Sequence, residues 1–107
     1  MNILSKLLYR KKEPRPHELI RPYKVRAEEA ILRNDLNRAI AFLNCGIRLA
    51  PDYLGLYLQR AQIQQYGLNN CTQALEDYRF ILRKLESTPD HILVCKCKEA
   101  MKDMMSQ

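Results

Sequence analysis

The chain of 107 residues repeats itself at a period of 34 to 35 residues. Three identities recur at an offset of 34: Tyr23 and Tyr57, Arg26 and Arg60, Ala27 and Ala61. Further along, the offset becomes 35, at Asn34 and Asn69, Ala39 and Ala74, and Arg48 and Arg83. The change indicates one extra residue in the second copy, which we assign to the loop of residues 67–70. A period of this length predicts pairs of short helices that stack side by side.

Apolar spacing and capping signals predict where these helices lie. Leu36, Ile40, Leu43 and Ile47 follow spacings of 4, 3 and 4, which place them on one face of a helix. Asp35 and Asn70 are suited to cap the helices that follow them, and Gly67 is suited to end a helix. The pattern predicts helices over 22–33, 36–49, 53–66, 71–85 and 89–105, and therefore an all-α fold.

Prolines separate this body from the N-terminus. Because proline lacks a backbone donor and disfavours helical geometry in the preceding residue, Pro14, Pro16 and Pro22 predict that this stretch is not a continuous helix. The predicted organisation is an amphipathic basic helix over 1–13, a proline-rich linker over 14–21, repeats over 22–52 and 53–88, and a C-terminal capping helix over 89–107.

Residues 19–85 resemble the tetratricopeptide repeat (TPR) family. Two segments resemble characteristic segments of the family, Leu49-Ala50-Pro51-Asp52 and Ala74-Leu75-Glu76-Asp77-Tyr78. Ala27, Ala39 and Gly46 fall on the family's small-residue positions. Arg26 and Arg60 depart from the family by standing where it prefers leucine. The resemblance implies an antiparallel helix-hairpin solenoid of two repeats. A weaker similarity is to the TPR tail that follows transglutaminase-like domains in some bacterial proteins. The alternative is a generic helical bundle with coincidental spacing.

The resemblance implies a non-enzymatic scaffold or adaptor that binds another protein or peptide. TPR proteins use a concave groove lined by the first helix of each repeat. Carried over by position, that groove contains Arg21, Lys24, Glu28, Ile31, Leu58, Gln62, Gln65 and Tyr66. Lys24 matches one position of the family's carboxylate clamp, but Glu28, Gly55 and Gln59 replace its other polar positions, so chaperone-tail binding is not expected. The open face of the first repeat also leaves room for a second copy of the chain, as a homo-oligomer.

The net charge of +6 belongs to the first quarter of the chain. Residues 1–26 contain eight basic and two acidic side chains, and the remainder contains ten of each. The first residues combine this charge with an apolar side, which suits packing on the domain, a partner, or an anionic membrane surface. The residues of this membrane or partner arm are Ile3, Leu4, Lys6, Leu7, Leu8, Arg10, Lys11 and Lys12. Alternative functions are therefore a peripheral membrane adaptor and a weak RNA binder, although nucleic acid is the less expected partner.

The sequence predicts no catalytic residue, no cofactor and no metal site. Cys95 and Cys97 are two residues apart and so point to opposite sides of a helix, while three glycines are too few for a phosphate-binding loop. Adjacent acidic pairs such as Glu76-Asp77 are interpreted as solvated. No signal-peptide order is present, so the four cysteines are expected to be reduced thiols and the protein cytoplasmic, with a membrane-peripheral location as the alternative.

Overall fold

The structure is a computed structural model that describes residues 2–4 and 14–106. In this part of the chain it consists of five helices and contains no strand, which confirms the all-α prediction. The helices are α1 (Pro16–Leu32), α2 (Leu36–Leu49), α3 (Leu54–Gln62), α4 (Cys71–Lys84) and α5 (Ile92–Met105). A π-helical turn, Ile63–Gly67, continues α3 without a break.

The turns α1–α2 and α3–α4 are built alike. Asn34 (φ 59°) and Asn69 (φ 53°) both adopt the left-handed conformation, which asparagine tolerates better than most residues. The next residue caps the following helix in each case. The Asp35 carboxylate accepts a hydrogen bond from the Arg38 N–H at 3.3 Å, and the side-chain oxygen Oδ1 of Asn70 accepts one from the Gln73 N–H at 3.4 Å. The two predicted N-caps are therefore observed.

The extra residue of the second copy lies in the helix rather than in the loop. The N–H of Asp35 reaches back five residues to the Ala30 carbonyl, whereas that of Asn70 reaches back six to the Gln64 carbonyl. The π turn takes up the difference, because a wider turn accommodates one more residue without changing the loop. Gly67 lies inside this turn and not at a left-handed position. Its lack of a side chain matters because a Cβ there would stand 2.5 Å from Leu36 Cδ1.

The structure corrects the predicted linker over 14–21, because α1 already begins at Pro16 and contains Pro22. Pro16 is acceptable in the first turn, where its missing N–H would have no helical partner. Pro22 removes one helical hydrogen bond, but Ile20 in the same segment is completely buried. Burial of such a side chain contributes about 1.5–3 kcal/mol, which offsets much of the proline penalty of about 3 kcal/mol.

The helices form a row of two hairpins followed by a single helix. α1 packs on α2 and α4 packs on α3, while α3 also contacts α2, and α5 contacts α4 and α3. Small residues stand where helices approach closely: Ala27, Ala39, Ala61 and Ala74 are completely buried. Gly46 belongs to this set, since a Cβ there would lie 3.0 Å from Leu56 Cδ1. The packing leaves one side of α1 and one side of α3 open next to each other.

Candidate binding groove

One face of α1 and one face of α3 line two depressions, which together we name the α1–α3 groove. The α1 side is mainly one helical stripe with spacings of 4, 3, 4 and 3, formed by His17, Arg21, Lys24, Glu28 and Ile31, and Val25 lies beside it. The first depression is lined by His17, Arg21, Lys24, Val25, Glu28 and Tyr53. The second is lined by Ile31, Asn34, Leu36, Gln59, Gln62, Ile63, Tyr66 and Gly67.

The first depression is the charged end of the groove. It has a volume of about 280 Å³ and presents Arg21 and Lys24 beside the single carboxylate of Glu28. The Lys24 ammonium lies 5.8 Å from the centroid of the Tyr53 ring, so the ring partly fixes the position of this cation. His17 stands next to Glu18, at 4.0 Å, on the outer edge of this end. This end is therefore suited to polar or acidic groups of a ligand.

The second depression is the neutral end of the groove, with a volume of about 550 Å³. Carboxamides of Asn34, Gln59 and Gln62 alternate with aliphatic side chains, and its described lining contains no Lys, Arg, Asp or Glu. Carboxamides both donate and accept hydrogen bonds, so they match the N–H and C=O groups of a peptide backbone. This end can bind a main chain and cover an apolar side chain at the same time.

Tyr66 closes the neutral end and ties it to α5. Its hydroxyl donates a hydrogen bond of 2.7 Å to the Asp103 carboxylate. This hydrogen bond raises the pKa of Tyr66, and the nearby charges of Asp103 and Glu99 act in the same direction. The phenol therefore remains protonated at neutral pH, and the edge of the groove depends on the placement of α5.

The structure places six of the eight predicted groove residues in the groove and corrects the other two. Leu58 and Gln65 are buried. Leu58 packs in the cluster that includes Cys97 and Ala100 of α5. The Gln65 carboxamide accepts a hydrogen bond from the Tyr78 hydroxyl at 2.7 Å and donates one to the Ala100 carbonyl at 2.9 Å. Both positions therefore hold the capping helix and are closed to a ligand.

Eight groove residues were missed by the sequence reasoning: His17, Val25, Asn34, Leu36, Tyr53, Gln59, Ile63 and Gly67. Gln59 was within reach of the sequence, because it stands three positions before Gln62 on the same helical stripe. Tyr53 carries no such signal, whereas His17 stands four positions before Arg21 on the α1 stripe. Tyr53 reaches the groove from the N-terminal end of α3, and His17 lies in the segment that had been assigned to the linker.

A partly buried polar cluster supports α3 from the side of α2 and α4. Arg60 donates hydrogen bonds to the Asp77 carboxylate from Nε (2.9 Å) and Nη2 (2.7 Å), and from Nη1 to the side-chain oxygen Oδ1 of Asn44 (2.8 Å). The hydrogen bond to Asp77 raises the pKa of Arg60. The sequence predicted that Asp77, next to Glu76, is solvated. The structure corrects this prediction, because the Asp77 side chain is only 8 % exposed. The pair accounts for an arginine at a position where the resembling family prefers leucine.

The cysteines and histidines do not form a constellation with metal-ligand geometry. No group of three His, Cys, Asp or Glu suited to a metal ion occurs in residues 2–4 and 14–106. Cys95 is exposed and Cys97 is buried, as expected for two positions on opposite sides of one helix. Burial raises the pKa of the Cys97 thiol to about 11. His91 caps α5 by accepting the Leu93 N–H at 3.0 Å.

The N-terminal arm is described only in part. Ile3 and Leu4 are 77 % and 66 % exposed. The other arm residues of the prediction lie outside the described residues: Lys6, Leu7, Leu8, Arg10, Lys11 and Lys12. None of the described helices is both long enough and apolar enough to span a bilayer.

Comparison with known proteins returned no match among family models, curated proteins or solved structures. The functional argument for this chain therefore rests on the geometry of its own groove.

Proposed function

We propose that this chain is a non-enzymatic scaffold that binds an extended segment of another protein in the α1–α3 groove. The observation that carries the proposal is the neutral end, where the side chains of Gln59 and Gln62 hydrogen bond to no other described residue. Both face a depression with an aliphatic floor. Paired donors and acceptors beside apolar surface suit a polypeptide backbone better than a small charged metabolite.

The proposal includes a TPR-like solenoid of two repeats that α5 closes at its C-terminal end. Support comes from matched positions: Ala27 and Ala61 are both completely buried, and Asn34 and Asn69 share the left-handed conformation. Stacked repeats expose a continuous surface formed by equivalent helices, and such surfaces recognise extended partners by shape and local contacts. In this proposal, Arg26, Arg60 and the π turn are local departures from the family pattern that leave the stacked arrangement of the repeats intact.

The dimensions of the groove define the length of the bound segment. The α1 stripe from His17 to Ile31 covers 14 helical steps, or about 21 Å. An extended peptide advances about 3.3 Å per residue, so the groove accommodates about six residues. One end of the segment meets Arg21 and Lys24, and the other end meets the carboxamides. The partner is therefore expected to present about six consecutive residues without regular helical structure.

The test uses two exposed glutamines as a matched pair. Gln62 lies in the neutral end, and Gln73 lies outside the groove on α4. A partner is isolated by chemical cross-linking in cells that contain the full chain, and its affinity is then measured with purified components. Gln62→Arg adds bulk and charge to the groove, so we expect binding to weaken at least about tenfold, or about 1.4 kcal/mol. Gln73→Arg adds the same side chain and should leave the affinity unchanged. Equal affinities for the two variants would exclude the groove as the binding site.

A further inference from the structure

The two copies of the repeat have an arginine at the same position, but its side chain has different contacts in each copy. Arg60 in the second copy has oxygen partners on two sides, the Asp77 carboxylate on α4 and the Asn44 side chain on α2. Arg26 is its counterpart, 34 residues earlier. The position of Asp77 is taken in the first copy by Phe42, 35 residues earlier, so α2 offers Arg26 a ring instead of a carboxylate. The Arg26 guanidinium carbon lies 6.0 Å from the centroid of that ring.

Arg26 stands in a cleft on the outer side of the α1–α2 hairpin, with a volume of about 390 Å³. Its lining consists of Arg26, Glu29, Ala30, Arg33, Asp35, Arg38 and Phe42. At the positions of Arg33 and Arg38 the second copy has Leu68 and Gln73. The second copy therefore has one arginine at this site, which is paired, whereas the first copy has three exposed arginines. None of the three forms an ion pair within 4.0 Å in the described part of the chain.

The acidic groups of the cleft do not neutralise these arginines. The lining contains two carboxylates, Glu29 and Asp35, against three guanidinium groups, so one positive charge remains in excess. One oxygen of Asp35 also accepts the Arg38 N–H as the cap of α2. The cleft shares no residue with the α1–α3 groove. It is therefore a separate surface, and the argument for it does not depend on the proposed function.

We propose that this cleft docks an acidic segment of a partner protein, whose Asp or Glu carboxylates accept hydrogen bonds from Arg26, Arg33 and Arg38. The second copy supplies the precedent, because there the same arginine position is satisfied by side-chain oxygens from neighbouring helices. The fork of a guanidinium group matches a carboxylate in two parallel hydrogen bonds. In the second copy the ligand of the equivalent arginine is a carboxylate, Asp77, which favours a carboxylate over a phosphate as the ligand here.

The chain's own N-terminal arm has the wrong charge for this cleft. Residues 1–13 contain Lys6, Arg10, Lys11 and Lys12 against the single acid Glu13. Like charges at short range repel, so this segment is disfavoured as the occupant, and the carboxylates must come from another molecule.

The test is a nuclear magnetic resonance titration of the full chain with a hexaglutamate peptide at low ionic strength. Amide shifts distinguish binding at residues 26–42 from binding at the basic arm, which the same peptide can also contact. We expect saturable shifts around Arg26, Arg33 and Arg38. The triple variant Arg26→Gln, Arg33→Gln, Arg38→Gln should weaken binding at this site about tenfold, because it removes three exposed ion pairs that each contribute modestly to binding. A charge-matched triple variant on α5, Lys96→Gln, Lys98→Gln, Lys102→Gln, should bind at the cleft with unchanged affinity.

Parallel titrations with hexaglutamine, inorganic phosphate and an oligouridylate of six nucleotides define the ligand class. The proposal requires that hexaglutamate shifts the cleft amides more strongly than each of these probes at equal concentration. Stronger binding of phosphate or of the oligonucleotide would replace the acidic protein segment with a phosphate ligand and overturn the proposal. Shifts confined to the basic arm, or equal weakening by both triple variants, would show that the cleft does not bind.

Discussion

The Arg60–Asp77 pair provides the sharpest test of the packing described above. Asp77→Ala removes the acceptor of two charge-assisted hydrogen bonds and leaves a guanidinium group that is only 22 % exposed. Each such bond contributes about 1.5 kcal/mol at the lower end of the usual range, so the expected loss is about 3 kcal/mol. This agrees with the lower end of the 3–5 kcal/mol that is lost when a buried ion pair is broken. The lower end is expected because Arg60 retains its hydrogen bond to Asn44 and some contact with solvent.

Urea denaturation measures this loss, and the repeat supplies the control. With a slope of about 1.5 kcal/mol per molar urea, Asp77→Ala should lower the midpoint by about 2 M. Arg26→Ala, at the equivalent position of the first copy, removes only an exposed contact with a ring and should cost about 0.5 kcal/mol. A loss below about 1 kcal/mol for Asp77→Ala, or equal losses for the two variants, would refute the assignment of Asp77 as a buried support of α3.

Three further predictions concern α5 and its surroundings. Gln65→Ala should destabilise the fold by about 1–3 kcal/mol in urea, because it leaves buried hydrogen-bonding groups unpaired, whereas Gln62→Ala should be nearly neutral; equal effects would contradict the burial of Gln65. In an Ellman assay of the native protein at pH 8, Cys95 should react readily and Cys97 only on unfolding, since Cys97 is buried and burial raises its pKa to about 11; comparable rates would contradict this. Burial raises the pKa of Tyr78 above the ordinary 10.0, so its neutral form is favoured in the folded state. The contribution of Tyr78 to stability should therefore be constant below pH 10.0 and fall above it, so that stability falls more steeply in the wild type than in Tyr78→Phe; identical slopes would contradict it.

The helix starts after Asp35 and Asn70 were predictable from local signals, whereas the last helix, predicted from residue 89, begins at Ile92. Asp35 and Asn70 mark helix starts because their side chains satisfy backbone donors within three residues, which is a property of the sequence alone. The start of α1 was not predictable in this way. The rule for Pro22 is local, whereas the burial of Ile20, which offsets much of the proline penalty, depends on packing against other helices. The change of the repeat offset from 34 to 35 revealed an extra residue in the second copy, but it did not show that a π turn would accommodate that residue.

The groove was predictable to the extent that it follows one helical stripe. Arg21, Lys24, Glu28 and Ile31 share a face of α1 at spacings that the sequence shows directly. Positions near α5 were not predictable, because a helix from the end of the chain decides whether they are open. That contact buries Leu58, which the repeat pattern alone would leave exposed to a ligand.

The buried acid was missed for a related reason. Glu76 and Asp77 are adjacent on α4, and the sequence does not show which of them faces the neighbouring hairpin. The repeated arginine was the available signal. An arginine at position 60 in a tightly packed repeat needs an acceptor on the facing helix, and Asp77 is the one that the fold provides.

The central claim is that a partner protein binds between α1 and α3, and site-specific photo-cross-linking tests it most directly. A photoreactive amino acid is placed at Gln62 in the groove and, in a second variant of the full chain, at Gln73 on α4. Both residues are exposed glutamines, so the two variants are expected to be equally stable. The account predicts that one partner protein is cross-linked from Gln62 under illumination and not from Gln73. Cross-linking of that partner from Gln73 alone, or equally from both positions, would contradict it.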